Sequence, residues 1–399
     1  MPLLHTIKPN KEMKNVTEIA AEVDQLNESI LSTFSTPNHN ATRKNPEDHA
    51  RFRPPFALDR DRIIYSGAFR RYTGKTQVVY FASMLDEQLS SRSIHTLSVA
   101  QVARTIGRLL RLNIDLIEAI ALGHDLGHPP FGHDGEKYLS VVSENYGIGQ
   151  FHHNVQSLRI VDEIAKKGQG LNLTFQVREG LLSHDGEVHD QKLIPQPDKS
   201  ETDLMDFVNA KEAGEAITMI PMTLEGCVVR ITDTIAYIGQ DIEDAIRIGL
   251  IRRDQLPDRC QAVLGNNNGQ IIETLVKDVV ENSYGNNFVR FSKNVSEALR
   301  SLKEFNYAYI YKSEKLKINH ERIARGFEIL FSAFLGDLEK NRAQSTIFTD
   351  FLNGKSERYL DNTPDPLKVR DYISGMTDRY FTEILRRQII PEVTLGDLA

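Results

Sequence analysis

An almost entirely α-helical fold is what this sequence predicts, and three observations carry the expectation. Apolar residues recur at helical spacing in long stretches, of which TLEGCVVRITDTIAYIGQDIEDAIRIG, Thr223 to Gly249, is free of proline. Alternating strand-type runs are scarce; TQVVYFA is the best candidate, and it is short. A hydrophobic content of 40% over 399 residues supports a full core, in one large unit or two lobes.

Along the chain, the first forty-five or so residues are polar, and TPNHNATRKNPEDHARFRPPF gathers proline and asparagine, so this end reads as a flexible arm. SIHTLSVAQVARTIGRLL places Leu97, Ala100, Val102, Ala103, Ile106 and Leu109 largely along one stripe. DLIEAIALGHDLG does the same with Leu116, Ile117, Ile120 and Ala121, Asp115 serving as the N-cap. A polar excursion starts at HDGEVHDQKLIPQPDKSETD before helices resume, and LGNNNGQ, from Leu264, marks a break. HERIARGFEILFSAFLGDL and KVRDYISGMTDRYFTEILRR bring helical periodicity to the C-terminal third. In the former, Phe327, Ile329, Leu330, Phe331, Phe334 and Leu335 cover nearly the whole circumference. Such a helix must be buried on several sides, inside the chain or against another subunit. The expected division is an arm over 1–45, a central domain over 46–263 and a C-terminal helical region over 264–399.

Charge and cysteine narrow the function classes. A net charge of −7 advertises no global affinity for nucleic acid, although Lys and Arg on RFRPPFALDRDR and AFRRYTGK leave single-stranded nucleic acid open as a partner. Cys227 and Cys260 are too few for a disulfide framework and suit a reducing cytoplasm. The N-terminal residues lack a signal-peptide core, and no apolar run approaches the roughly 18 residues of a membrane span. The expectation is a cytoplasmic protein without a membrane segment.

The chemistry concentrates in HDLGHPPFGHDGE, residues 124–136, with three histidines, two aspartates and a glutamate around a Pro-Pro break. His-Asp dipeptides recur, including 124–125, 133–134 and 184–185, and a single one is commonly a solvated loop or a helix cap. His124-Asp125 differs because it ends an apolar helix, where an ionised Asp needs a partner. Imidazole and carboxylate together suit Fe, Mn, Co, Ni or Zn. His95 is a candidate further ligand; alone it reads as a core histidine bonded to a carbonyl, but Arg92 lies three residues earlier on the same face as a phosphate clamp. Asp233, Tyr237 and Asp241 are spaced four and four along one otherwise apolar helix, although Asp241, Glu243 and Asp244 also read as a solvated helix end. GAFRRYTGKT mimics a phosphate-binding loop, but six residues separate Gly67 from Gly74 where that motif needs four.

His95, His124-Asp125 and Asp233 follow the H…HD…D order of HD-domain phosphohydrolases. DRDRIIYSGAFRRYTGKTQV, ALGHDLGHPPFGHDGE, FHHNVQSLRI, TLEGCVVRITDTIAYIGQDIEDA and RDYISGMTDRYF, spread over residues 59 to 381, resemble the deoxynucleoside triphosphate triphosphohydrolase branch, whose bacterial members are dGTP triphosphohydrolase-like. The resemblance implies an HD-domain helical core with additional C-terminal helices. It implies a hydrolase that splits a dNTP into deoxynucleoside and tripolyphosphate by attack at the α-phosphorus. His95, His124, Asp125 and Asp233 would bind a divalent metal (Mn, Fe, Co, Ni, Zn or Mg). Arg92 would contact the α-phosphate, and His128, His133 and His153 would face the triphosphate, with Glu136 the acidic partner of catalytic His133. Tyr237 and Asp241 would sit against the sugar and Gln77 near the 3′-hydroxyl. Homo-oligomers, hexamers or tetramers, are implied, in some members with a dNTP activator at a subunit interface. The segment near 183–222 varies among such proteins and carries no assignment, His184 included. The alternatives are another HD phosphohydrolase, a phosphodiesterase or 5′-nucleotidase, and a regulator that binds nucleotides or single-stranded nucleic acid.

Overall fold

The computed structural model describes residues 14–47, 52–78, 80, 89–185, 189, 191–316 and 319–390. Among them the longer helices are α1 (Val16–Ser29), α2 (Pro55–Ile64), α3 (Arg92–Leu110), α4 (Ile114–Gly123), α5 (Gly132–Asn145), α6 (His153–Arg159) and α7 (Phe175–Ser183). They continue with α8 (Glu201–Glu212), α9 (Leu224–Arg247), α10 (Asn268–Ser283), α11 (Lys293–Asn306), α12 (His320–Glu339), α13 (Asp365–Ser374) and α14 (Asp378–Ile389). One two-stranded antiparallel ribbon, β1 (Lys192–Leu193) with β2 (Val289–Arg290), is the sheet among the described residues. The all-α expectation holds. Of TQVVYFA, Val79, Phe81 and Ala82 lie outside the described residues, and Thr76 makes an isolated bridge to Ser91.

The central packing is α3, α4 and α9 against one another, with α2 on α4 and α10 across α3 and α9. The proline-free stretch from Thr223 forms α9 because Thr223 caps it, accepting from the Gly226 amide at 3.0 Å, and because its apolar positions face three neighbours. The cap of α4 is Asn113, whose side chain accepts from the Leu116 amide; Asp115 lies in the first turn and pairs with Arg60 at 2.7 Å. This corrects the N-cap by two residues: Asn113 is as good a capping residue and precedes the first helical turn. In α3, Leu97 and Leu109 are exposed, and Val99, Ala100, Val102, Ala103, Ile106 and Leu110 make the buried face. KVRDYISGMTDRYFTEILRR divides into α13 and α14 at Gly375–Thr377, where Thr377 caps α14 by accepting from the Tyr380 amide at 3.2 Å.

Among the described residues the main apolar core runs from Phe56 to Ile384 and crosses the LGNNNGQ segment. Phe327, Leu330, Phe331 and Phe334 of α12 are buried inside this chain, against α5, α13 and α14. The aromatic circumference of α12 is thus explained by intrachain packing and carries no argument for a subunit contact. Residues 1–13 of the N-terminal arm lie outside the described residues. After α1, Ser35 and Thr36 bind the buried Glu225 carboxylate at 2.8–2.9 Å, which ties this segment to the start of α9. The cations of RFRPPFALDRDR are largely engaged internally: Arg53 with Asp61, Arg60 with Asp115 and Glu118, and Arg62 with Glu47. Among the described residues no helix is long and apolar enough to cross a membrane.

Candidate active site

The site is built where α4 stops. Helix α4 ends at Gly123, His124 caps it, and Pro129-Pro130 forbid its continuation. The loop then folds under α6: a Cβ on Gly127 would lie 2.0 Å from the His153 carbonyl oxygen, so only glycine permits that approach. Ser157 locks the same contact, accepting from the Gly127 amide at 2.9 Å and donating to the His124 carbonyl at 2.8 Å. From the far end of the chain, Asp378 accepts from the Phe131 amide at 3.0 Å, and Lys75 donates to the carbonyls of His128 and Ser374. Phe131, in the left-handed region at φ 64°, is held there by its buried ring against Phe327 and Phe381.

Four of the expected residues converge from three helices. His95 Nε2 lies 3.0 Å from Asp233 Oδ1 and 3.8 Å from Asp125 Oδ2. His124 Nε2 lies 3.3 Å from Asp125 Oδ2 and 3.9 Å from Asp233 Oδ1. The His124 Nδ1 is 2.7 Å from the Ala121 carbonyl, so that nitrogen carries the proton and Nε2 presents its lone pair. That Nε2 is buried and has no hydrogen-bond partner. Two imidazoles, two carboxylates and an orphaned lone pair aimed among them fit a divalent metal ion. Burial opposes charge on Asp125, but His124 and Arg92 hold its carboxyl well below the usual range. Asp233 is likewise brought down to about 2, burial being overcome by His95 and His124. Both carboxylates are therefore ionised at neutral pH, as ligands must be.

The loop histidines line one side of this cluster. His128 and His153 stack at 4.0 Å between centroids, and His133 stands edge-on to both. Glu136, named as the partner of His133, sits 3.5 Å from His133 Nδ1 but only 3.0 Å from His153 Nδ1, and also accepts from the His153 amide. Burial opposes a charge on His153, and Glu136 overturns this, raising it to about 9. Burial and the charge of Arg92 push His128 well down, so it stays neutral. Arg92 itself binds the Asp125 carboxylate and the Thr76 carbonyl, leaving its buried Nε without a partner.

Along α9 the other side of the cluster follows. Asp241 is buried, not a solvated helix end, and burial raises it to about 7 despite a 2.5 Å bond donated by Tyr311. Its Oδ1 has no hydrogen-bond partner. Tyr237 is half-buried between Asp233 and Asp241 on the same stripe, close enough to Tyr311 to affect it. Gln77, beside the start of α5, keeps its Oε1 buried without a partner.

Two residues of this site have no place in the sequence reading. Tyr311 arrives from 70 residues away, and nothing in its local spacing announces it. His184 carried no assignment, yet its Nε2 lies 3.2 Å from His153 Nε2 and 3.8 Å from Asp125 Oδ1, and its ring meets His124 edge-on. A signal for it did exist: FQVREGLLSHD ends a buried helix in His-Asp, as DLIEAIALGHD does.

Similarity to known proteins agrees with this geometry. The chain matches the HD domain over residues 92–238 and the phosphohydrolase-associated domain over 289–387. It is 38% identical to a deoxyguanosinetriphosphate triphosphohydrolase-like protein of Caldanaerobacter subterraneus subsp. tengcongensis, covering 92% of this chain and 93% of that one. Proteins of the same description from Desulfatibacillum aliphaticivorans, 38% identical with 91% and 95% covered, and from Clostridium tetani, 36% identical with 88% and 90% covered, are also similar. The chain belongs to the HD-domain phosphohydrolases, in the family of deoxyguanosinetriphosphate triphosphohydrolase-like proteins.

Proposed function

We propose that the protein hydrolyses dNTPs, dGTP or several of them, to deoxynucleoside and tripolyphosphate by attack of water at the α-phosphorus. The observation that carries the reading is an ordered line of groups: loop histidines, metal-type cluster, then Tyr237 and Asp241 on α9, with Asp241 also feeling the charge of His133. A triphosphate at one end and a sugar at the other fit that order.

Attack forms a bond from water oxygen to the α-phosphorus and breaks the bond to the 5′-oxygen, which leaves with a proton. His133, positioned by Glu136 and near enough to bear on the charge of Asp241, is the group to supply it. Arg92 turns its unpaired Nε to the α-phosphate, while His128 and His153 meet the remaining phosphates, whose charge must be neutralised. Gln77 takes the 3′-hydroxyl, and Tyr237 and Asp241 close around the 2′ carbon. A divalent ion of the Mn, Fe, Co, Ni, Zn or Mg class held by His95, His124, Asp125 and Asp233 would supply Lewis-acid stabilisation and activation of the water.

We extend the proposal to assembly and place: a cytoplasmic homo-oligomer, hexamer or tetramer, with a dNTP activator at a subunit interface. Val16, Ile19, Val23, Leu26 and Ile30 of the α1 segment, exposed at heptad spacing, offer apolar surface for self-association. The test is to incubate metal-loaded protein with each dNTP alone and in mixtures and to identify products. Tripolyphosphate supports the reading; orthophosphate or a monophosphate points to a 5′-nucleotidase or phosphodiesterase; binding without turnover points to a regulator.

A further inference from the structure

Helix α1 is formed but lies on nothing. A capping box closes its start, Asn15 accepting from the Glu18 amide at 3.0 Å and Glu18 from the Asn15 amide at 2.9 Å, yet none of its 14 residues is buried. An isolated helix of that length is marginal in water, so α1 calls for a surface to lie on. Val16, Ile19, Val23, Leu26 and Ile30 provide the face for it. They follow one another in steps of three and four, and each is 49–66% exposed.

The body of the chain carries an apolar groove that fits such a face. It runs between α3 and α10, has a volume of about 580 Å³, and is lined by Val102, Thr105 and Leu109 on one wall and by Ile272, Val276 and Val280 on the other. Ile94 and Leu97, both 53% exposed, carry the α3 wall onward at helical spacing. Lengths agree: at ~1.5 Å per residue the α1 stripe spans about 21 Å and the α3 wall, from Ile94 to Leu109, about 22 Å. Charges oppose. Between Val16 and Ser29 stand Glu18, Glu22, Asp24 and Glu28 and no basic residue, whereas α3 carries Arg92, Arg104 and Arg108 and no acidic one, Arg108 being exposed. The α10 wall is mixed, with Lys277 between Glu273 and Glu281, so the α3 wall is the one that attracts α1.

The helix that fills the groove comes from another copy, because α1 is pinned where it stands. Asn38 donates from its side chain to Asp24 at 2.6 Å and from its amide to Glu28 at 2.9 Å. Arg111 donates to the Ile30 carbonyl at 2.6 Å, and the Ser32 amide to the Arg111 carbonyl at 2.7 Å. Folding α1 back onto its own α3 would break these bonds; receiving a neighbour's α1 breaks none. We propose that α1 of one copy lies in the α3–α10 groove of a second copy, and that two copies exchange these helices about a two-fold axis. The inference rests on the self-association proposed above and adds the surface that receives α1.

The experiment uses the full-length chain in two single variants, Val23→Cys at the middle of α1 and Val276→Cys at the middle of α10, mixed and treated with a mild oxidant. Cys227 and Cys260 are buried, so the introduced thiols react first. The expected result is a disulfide between one V23C chain and one V276C chain. Should V276C fail to fold, Thr105→Cys on the opposite wall makes the same test. In light scattering, V23E should weaken association at least about tenfold, because a charge replaces a valine buried in the groove, while helical circular dichroism and metal content stay the same. V23C chains linked only to one another would mean that α1 pairs with α1, which overturns the proposal. Absence of any cross-link, or association unchanged in V23E, overturns it too. An oligomer without the V23C–V276C bond defeats this inference alone, whereas a monomeric wild type defeats the self-association as well. Tripolyphosphate formed without the cross-link leaves the proposed hydrolysis standing; the cross-link without dNTP turnover does the reverse.

Discussion

Two buried helices of this molecule, α4 and α7, end in the same dipeptide, and their surroundings differ. After α4, His124-Asp125 turns its carboxylate inward, where Arg92 binds it and His95, His124 and His128 lie within 4 Å. After α7, His184 points inward in the same manner, but Asp185 is partly exposed and reaches Lys211 at 3.7 Å. The difference lies in what comes next: Pro129-Pro130 return the chain across the first pair, braced by Ser157 and Asp378. The dipeptide supplies ligand types; the packing around it decides which atoms are used.

The largest effect that could break the comparison is at the first pair. D125A and H124A should each abolish bound metal and hydrolysis, both with the helical spectrum retained. Metal analysis of each variant beside a tripolyphosphate assay checks this. Full occupancy in either would remove His124-Asp125 from the ligand set.

Next in size is His133, which belongs to the loop and not to the cluster. H133A should keep metal while turnover falls about 10²–10⁴-fold, the usual contribution of a general acid. A loss under threefold would make His133 structural.

How much of this was legible in the sequence follows physical lines. Helices were legible because burial imprints a 3.6-residue period, as in α9. The convergence of His95, Asp125 and Asp233 was legible only through a motif order, since spacing cannot report which helices touch. Tyr311 and Asp378 were not legible: each acts on a partner 70 or more residues away, Tyr311 on Asp241 and Asp378 on Phe131. Leu97 and Leu109 misled because a stripe drawn from hydropathy alone ignores which apolar residues are left in water.

On the sugar side, Tyr237 and Asp241 should make ribonucleotides poor substrates, because a 2′-hydroxyl buried there meets a ring and loses water without an assured partner. GTP should turn over at least about tenfold more slowly than dGTP, a difference of ~1.4 kcal/mol. Equal turnover would count against that pocket.

Asp241 gives a smaller effect, with a defined sign. Burial raises it to about 7 from an ordinary 3.8. Below pH 3.8 the folded and unfolded chains are both protonated there. Between pH 3.8 and 7 the unfolded chain releases the proton that the folded chain keeps, so stability drains away as pH rises, by ~4 kcal/mol at most. D241N cannot titrate. Thermal melts of metal-stripped protein should therefore show D241N gaining on the wild type from pH 4 to pH 8. Parallel curves would mean Asp241 is ionised in the folded state.

The smallest effect is expected at Asp185, and it tests the comparison most directly. If His-Asp acted as a unit, losing Asp185 would cost as much as losing Asp125. The geometry argues otherwise: Asp185 is partly exposed, and its ion pair with Lys211 at 3.7 Å is of a kind worth roughly 0–1 kcal/mol. What it does share with the site is charge, because it helps His153 hold its proton and is itself lowered by His153 and His184, against burial. D185N should therefore leave metal content unchanged and turnover within about threefold, while moving any pH dependence carried by His153 slightly towards acid. The measurement is metal content together with a pH–rate profile for D185N and the wild type. Loss of an ion from D185N would show that the second dipeptide binds metal as the first does, and the distinction between the two helix ends would fall.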